Sequence, residues 1–304
     1  MERLTVAVQN SDGRMGQESL DLLSAADFYF QLENRVDICE VSNFPLTIEL
    51  SRNVDIPDDV QRGFCDFGIS GLDRIVEAKA SVVTLIPLGF GRCRLQVGVK
   101  KDLPYRKPQD LNGLTVVTSY PNLSQDYFAQ NNTEVDLLVR SGKVEKFIKE
   151  NRAQACVDIT SSGKSMKANG IEPYDVLLNS EAMLIASPML KQRKGSECLV
   201  QKFLMSIVSA LRVRDFTYIV MNAPESTKQA ITSLLPSKES PTISPLNEKG
   251  WWSISSLVPR RDFRKIISEL QESGARDILE IPPKQIIPNP DDRVIIELMK
   301  EIYG

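Results

Sequence analysis

Residues 154–170 read QACVDITSSGKSMKANG, and the fold of the surrounding chain follows from this stretch. Ala155-Cys156-Val157 is a short apolar run of strand length, closed by the acid Asp158. Small hydroxyl residues then surround Gly163, and the chain enters a short helix to Ala168 that ends near Asn169-Gly170. Strand, small-residue turn and helix make the unit of a parallel α/β sheet. Such a turn aims backbone N–H groups outward at a helix N-terminus, which suits a phosphate, and an acid at the strand end can accept hydrogen bonds from ribose hydroxyls. A polar helix cap with a solvated Lys164 explains the same letters at least as well, so the segment alone leaves both readings open.

The alternation extends in both directions. Strand 114–118, helix 122–130, strand 135–139, helix 143–151, strand 154–159, the short helix and strand 174–178 form one lobe, with parallel strands expected. The first hundred residues form another, with strands at 4–9, 36–41, 46–51, 64–69, 82–86 and 93–99, a helix at 18–26, and a helix capped by Asp55 with Pro57 in its first turn. Strand 182–187 and helix 196–212 are assigned back to that first lobe. The expected domains are thus 1–100 with 180–215 as lobe I and 101–179 as lobe II, with a ligand cleft between them at the strand C-termini. From 216 to 304 the rhythm changes to strand 216–221, helix 225–235, strands 241–246 and 251–258, helix 260–273 and strand 276–281, followed by a terminal helix from Asp292 to Tyr303. That βαββαβ order predicts a ferredoxin-like domain, a module that often holds a small regulatory ligand. The predicted class is therefore α/β, a two-lobed periplasmic-binding-protein-like core followed by a ferredoxin-like domain.

Composition narrows the chemistry. The chain of 304 residues contains no histidine, which removes every imidazole-dependent mechanism and every His-ligated metal. Its five cysteines, Cys39, Cys65, Cys93, Cys156 and Cys198, are widely spaced and set mostly among apolar neighbours, so reduced thiols are expected rather than disulfides or zinc. A formal net charge of −3 without a long basic run argues against nucleic acid or an acidic membrane as partner. The clearest apolar run, Val82 to Leu88, is far short of the ~20 residues a membrane span needs, and Met1-Glu2-Arg3 leads straight into a strand. A cytoplasmic location is expected.

Other candidate segments are weaker when taken singly. Phe67-Gly68-Ile69-Ser70-Gly71-Leu72-Asp73 is a strand and a small-residue turn, where Gly71 allows close approach of a ligand and Asp73 sits in the first helical turn. In Gly89-Phe90-Gly91-Arg92-Cys93-Arg94-Leu95, alternation puts Arg92 and Arg94 on one side, as phosphate oxygens or a solvated strand edge would both allow. Thr118-Ser119-Tyr120-Pro121 and Gly142-Lys143-Val144-Glu145 mark strand-to-helix junctions that could be simple caps. Trp251 and Trp252, adjacent on a strand, must face opposite ways.

In this order and at these spacings, the segments QNSDGRM (9–15), DIPDDV (55–60), DFGISGLD (66–73), GFGRCRLQ (89–96), TSYP (118–121), GKVE (142–145), DITSSGKSMKANG (158–170), SPTISPL (240–246), SLVPRRD (256–262) and SGAR (273–276) resemble the ATP phosphoribosyltransferase family, in its long, feedback-regulated form. The resemblance implies transfer of the phosphoribosyl group of phosphoribosyl pyrophosphate to N1 of ATP, with release of pyrophosphate and a requirement for Mg²⁺. It implies that Asp158, Thr160, Ser161, Ser162, Gly163, Lys164 and Ser165 bind phosphoribosyl pyrophosphate. By the same resemblance Asp158, Arg94 and Glu145 would take catalytic roles, and Gly13, Arg14, Gly71 and Asp73 would line the nucleotide site. Asn222, Ser240, Thr242 and Leu257 would bind histidine as an inhibitor, and dimers would assemble into a hexamer. The metal's ligands are not assigned. The chain departs from the family pattern in its first loop, which has an extra residue and lacks the usual Lys before Gly13-Arg14, and Asn222 stands where some relatives have an acid. The rival reading is a cytosolic two-lobed small-molecule binding protein without catalysis.

Overall fold

The structure, a computed structural model, describes residues 3–33, 36–160, 164–236 and 240–304. Its first part comprises β1 (Leu4–Gln9), α1 (Gly16–Ala25), β2 (Ile38–Glu40), β3 (Leu46–Ser51), α2 (Ile56–Gln61), β4 (Phe67–Gly71), α3 (Leu72–Glu77) and β5 (Val83–Pro87). Then come β6 (Cys93–Lys100), β7 (Thr115–Thr118), α4 (Pro121–Gln130), β8 (Asp136–Val139), α5 (Val144–Lys149), β9 (Ala155–Thr160), α6 (Lys164–Ala168), β10 (Ile171–Ser180) and β11 (Ala182–Ala186). After α7 (Glu197–Val213) the chain continues as β12 (Phe216–Pro224), α8 (Glu225–Leu234), β13 (Thr242–Pro245), β14 (Trp251–Pro259), α9 (Phe263–Glu272), β15 (Arg276–Ile281) and α10 (Arg293–Tyr303).

The first sheet has the order β2-β3-β1-β4-β11-β5 and the second β10-β6-β9-β7-β8. In the first, β1 is parallel to β3 and β4, while β11 runs antiparallel between β4 and β5. In the second, β7 is parallel to β8 and β9, but β6 runs antiparallel to both β9 and β10. Two expectations are corrected here. The strand at 93–99, grouped from sequence with the first hundred residues, belongs to the second sheet, and that sheet is mixed rather than parallel. A strand that has just crossed from one sheet arrives at the end where the parallel strands finish, and so runs against them; β6 and β11 both arrive this way.

Alternation along the central strands feeds a core on each side of the second sheet. Leu95, Val97, Val116, Ala155 and Val157 pack with Tyr120 and Phe128 on one side, and Val117 and Cys156 pack with Val144, Ile148, Met166 and Ile171 on the other. At α2, Asp55 occupies the N-cap position but makes no side-chain cap; its carboxylate accepts a hydrogen bond from Arg52 Nε at 2.7 Å instead, contrary to the expected cap.

The chain divides into two compact units, residues 1–21, 29–197 and 298–304, and residues 22–28 and 198–297. Nearly all of α7 falls in the second, although the sequence reading returned it to lobe I. Phe203 of α7 stacks on Phe28 with ring centroids 5.7 Å apart, and Arg212 pairs with Asp292 at 2.7 Å, contacts that an isolated amphipathic pattern does not specify. The second unit also holds the third sheet, order β13-β14-β12-β15, antiparallel throughout. Ile219, Met221, Ala223, Ile254 and Val258 form its core with Ile231 of α8 and Ile266 and Leu270 of α9. Trp252 packs against that core, and Lys228 Nζ lies 3.9 Å over its ring. Trp251 takes the other side, within cation–π range of Arg276. This is the ferredoxin-like βαββαβ arrangement. Among the described residues, no helix is long and apolar enough to cross a membrane.

Gly98, in β6, has no room for a side chain. A Cβ there would lie 2.7 Å from Ile171 Cγ2 and 3.0 Å from Cys156 Sγ. Gly98→Val is expected to destabilise the first unit by about 1–3 kcal/mol through overpacking, read as a lower urea midpoint in equilibrium unfolding.

Candidate active site

The turn from β7 into α4 is built by short polar side chains. Thr118 Oγ1 donates to the Val157 carbonyl at 2.9 Å and accepts the Tyr120 N–H at 2.9 Å, while Ser124 Oγ donates to the Tyr120 carbonyl at 2.7 Å. All three residues are buried, so these bonds fix the path of the chain between β7 and the helix. That path carries Ser119 to the C-terminal end of β9, where its Oγ donates to Asp158 Oδ1 at 3.3 Å. Burial pushes the Asp158 carboxyl up to about 6; the charge of Glu145 adds to this, while the Ile159 N–H, Ser119 and Arg74 oppose it. An acid held in this way is ionised at neutral pH and protonates only slightly below it.

A second constellation surrounds Asp73, in the first turn of α3. Its side chain has no exposed surface. Ser180 Oγ donates to Oδ1 and accepts the Asp73 N–H, and the Tyr120 hydroxyl donates to Oδ2 at 2.7 Å. Burial and the Asp73 charge push the Tyr120 phenol up, so it stays protonated and remains a donor. Arg14 Nη2 approaches Asp73 Oδ1 at 3.4 Å, and Arg14 Nη1 donates to the Gly91 carbonyl at 2.9 Å. Gly71 makes this possible. A Cβ there would stand 2.4 Å from Asp73 Oδ1 and 3.2 Å from Arg14 Nη2.

The structure thus brings together Arg14, Gly71 and Asp73 from the predicted nucleotide set. Gly13 lies in the same loop, where a Cβ would collide with Gln9, whose Oε1 accepts the Met15 N–H at 3.0 Å. Arg94 is exposed and paired in register with Thr160 at the end of β9, on the same edge as Asp158. Glu145, in the first turn of α5, is close enough to Asp158 to affect its charge. Ser161, Ser162 and Gly163 of the expected phosphate turn lie outside the described residues, as do the side chains of Lys164 and Ser165. Arg92, drawn with Arg94 in the sequence, instead pairs with Glu181 at 3.6 Å.

In the ferredoxin-like domain, Asn222, Thr242 and Leu257 fall on one side of the sheet, away from the helices, as register shows: Asn222 is opposite Ser253, Thr242 opposite Ser255 and Leu257 opposite Tyr218. Ser240 lies just before β13 and is exposed. Asn222 Nδ2 donates to Asp277 Oδ2 at 3.3 Å, so an acid stands beside the position where the sequence lacks one.

Sequence reasoning missed the roles of Ser119, Tyr120 and Ser180. TSYP was noticed as a junction and as a segment of the resemblance, with no role given to its residues. Ser180 carries no local signal, because its partner Asp73 is 107 residues away. Among the described residues, no group of three or more His, Cys, Asp or Glu side chains is placed to enclose a metal ion.

A family model described as ATP phosphoribosyltransferase matches residues 52–210, and one described as HisG, C-terminal domain, matches residues 214–284. The ATP phosphoribosyltransferase of Cytophaga hutchinsonii is 37% identical over 284 residues, covering 93% of this chain and 98% of that protein. That of Eremothecium gossypii is 35% identical over 284 residues, with 91% and 94% covered. A solved ATP phosphoribosyl transferase (HisG:HisZ) complex from Thermotoga maritima shares the fold, with a TM-score of 0.58 at 20% identity over 67% of this chain and 98% of that one. On the strength of the two matched domains and the near full-length identity, the chain belongs to the ATP phosphoribosyltransferase family.

Proposed function

We propose that phosphoribosyl pyrophosphate lies along the C-terminal end of β9, with its ribose hydroxyls on Asp158 and its 5′-phosphate in the turn that follows, and that ATP reaches it from the side of Arg14. The enzyme transfers the phosphoribosyl group to N1 of ATP and releases pyrophosphate, the first step of histidine biosynthesis. One observation carries the assignment of roles: Asp158 follows the buried half of β9, accepts a hydrogen bond from Ser119 and has a carboxyl raised to about 6. Adenine N1 holds a lone pair at neutral pH, so a chain without histidine lacks nothing needed to create the nucleophile. The protein's tasks are to align N1 with the anomeric carbon and to offset positive charge developing on the sugar. Asp158 suits the second task, and Arg94, at the same strand edge, suits the departing pyrophosphate.

The family needs a metal, and Mg²⁺ is the ion we assign. This ion is usually held by substrate phosphates and one or two carboxylates. Glu145 is the side chain we assign to its shell. The ion would neutralise diphosphate charge as the bond to the sugar breaks. We further propose a cytoplasmic location, assembly of dimers into a hexamer, and inhibition by histidine through Asn222, Ser240, Thr242 and Leu257.

Mixing the protein with ATP, phosphoribosyl pyrophosphate and Mg²⁺ should yield pyrophosphate and an N1-substituted adenine chromophore; binding without either product would favour the solute-binder reading. With a carboxylate that must be ionised and a folded pKa of about 6, kcat/KM should be flat above neutrality and fall with falling pH through that value. Asp158→Asn should lower kcat/KM by about 100-fold or more and abolish that acid limb. A limb that survives in the variant belongs to the substrate's phosphate, and native-like turnover removes Asp158 from the mechanism.

Histidine titrated against wild type and Thr242→Ala should give half-inhibition at a concentration about tenfold higher in the variant, within the usual range of coupling energies. Equal inhibition of both would place histidine elsewhere.

A further inference from the structure

We propose that Glu77 is a positioning residue for the transfer reaction, a carboxylate of the first lobe that caps a helix of the second and thereby holds Ser119 against Asp158. Glu77 is the last residue of α3 and is nearly fully buried. Its Oε1 accepts the Asn122 N–H at 2.9 Å and its Oε2 the Leu123 N–H at 3.0 Å, while Asn122 Nδ2 donates to the Glu77 carbonyl at 2.8 Å. Asn122 and Leu123 belong to the first turn of α4, whose N–H groups have no partner within their own helix. The residue at the N-cap position, Tyr120, makes no side-chain cap. A residue 45 positions upstream, on an element of the other sheet's lobe, supplies the cap instead.

The contact continues along one side of α3. Arg74 lies 3.9 Å over the Tyr120 ring and donates to the Ser119 carbonyl at 3.3 Å, and Lys79 pairs with Asp126 at 3.2 Å. Ser119 is therefore fixed from two directions, by Arg74 at its carbonyl and by Glu77 through the first turn of the helix that begins two residues later. Its hydroxyl faces Asp158. Glu77 itself reaches neither Asp158 nor the strand ends, so it acts through α4. Two N–H donors need two acceptor oxygens; a glutamine offers one and turns its NH₂ toward the other donor. The side-chain bonds of Glu77 go to α4 and not to β9, the strand that carries Asp158, so substrate capture and turnover should separate.

The inference rests on the reading of Asp158 given above for its effect on turnover, but not for its effect on the lobes. The test compares the full chain with Glu77→Gln and Glu77→Ala. Affinity for phosphoribosyl pyrophosphate is measured by calorimetry, kcat and KM for ATP by pyrophosphate release, and the spread of inter-lobe distances by electron spin resonance between labels at Arg62→Cys and Lys149→Cys in a Cys198→Ser background. Expected are phosphoribosyl pyrophosphate affinity within about threefold of the parent, kcat lower by about 10–100-fold, and a broader distance distribution. An unchanged distribution overturns the clamp, and a broadened one with native kcat overturns its link to the reaction. Asp158→Asn, run alongside, tells the two readings apart: native turnover there with broadening in Glu77→Gln condemns Asp158 and leaves the clamp standing. Should Glu77→Ala not fold, Asn122→Ala removes only the amide bond to the Glu77 carbonyl and should lower kcat in the same direction by about threefold; no loss in that variant, together with native kcat in Glu77→Gln, rejects the proposal.

Discussion

The Asp73 carboxylate has no contact with solvent, so its charge must be met by the protein alone, and groups from widely separated segments meet it. Arg14 comes from the first loop, Tyr120 from the start of α4, and Ser180 from the end of β10, where the chain crosses back to the first sheet. An ionised carboxylate buried without such partners would cost several kcal/mol, and a partly satisfied network is worse than none. The requirement is therefore collective. When these groups converge, the first loop, the crossing strand and the second lobe take fixed positions relative to α3. Arg14 gains a second tie to the Gly91 carbonyl, which anchors the first loop to the other crossing, between β5 and β6.

The constraint also explains residues whose types were legible but whose reasons were not. Gly71 reads in the sequence as a glycine that admits a ligand, yet in the structure its missing Cβ makes room for Asp73 and Arg14. Strand positions were legible because burial alternates along β12 and runs continuously along β4. The neighbours of a strand are another matter: the pattern of β6 states which side chains are inside but not which sheet surrounds them. Its placement depends on where the chain crosses, a property of the whole lobe. Likewise, Asp55 looked like a cap because it precedes Ile56-Pro57, and lost that role to the nearby guanidinium of Arg52. The βαββαβ domain was the most legible part, since every neighbouring pair of its strands is antiparallel and burial alternates along its two central strands, β12 and β14. Ser180 was beyond reach, since a single serine at a strand end gains meaning only from a partner more than a hundred residues away.

The chemistry gives this rigidity its use. Where a reaction needs a strong base, one well-tuned side chain can supply much of the rate, and small errors in lobe position matter less. Displacement by adenine N1 needs no such base, so most of what a protein can contribute is alignment of two substrates and fixed charge beside the sugar. Alignment across a cleft is only as good as the joint between the lobes. Here that joint includes charge-assisted hydrogen bonds to buried carboxylates, which are directional and costly to break. Asp73 and Glu77, four residues apart, project from the same side of α3 toward the first turn of α4, one holding the hydroxyl of Tyr120 and the other the N–H groups of Asn122 and Leu123. A chain without histidine can therefore place its catalytic effort in geometry, with the acid at the end of β9 held by a serine whose own position is set from the opposite lobe.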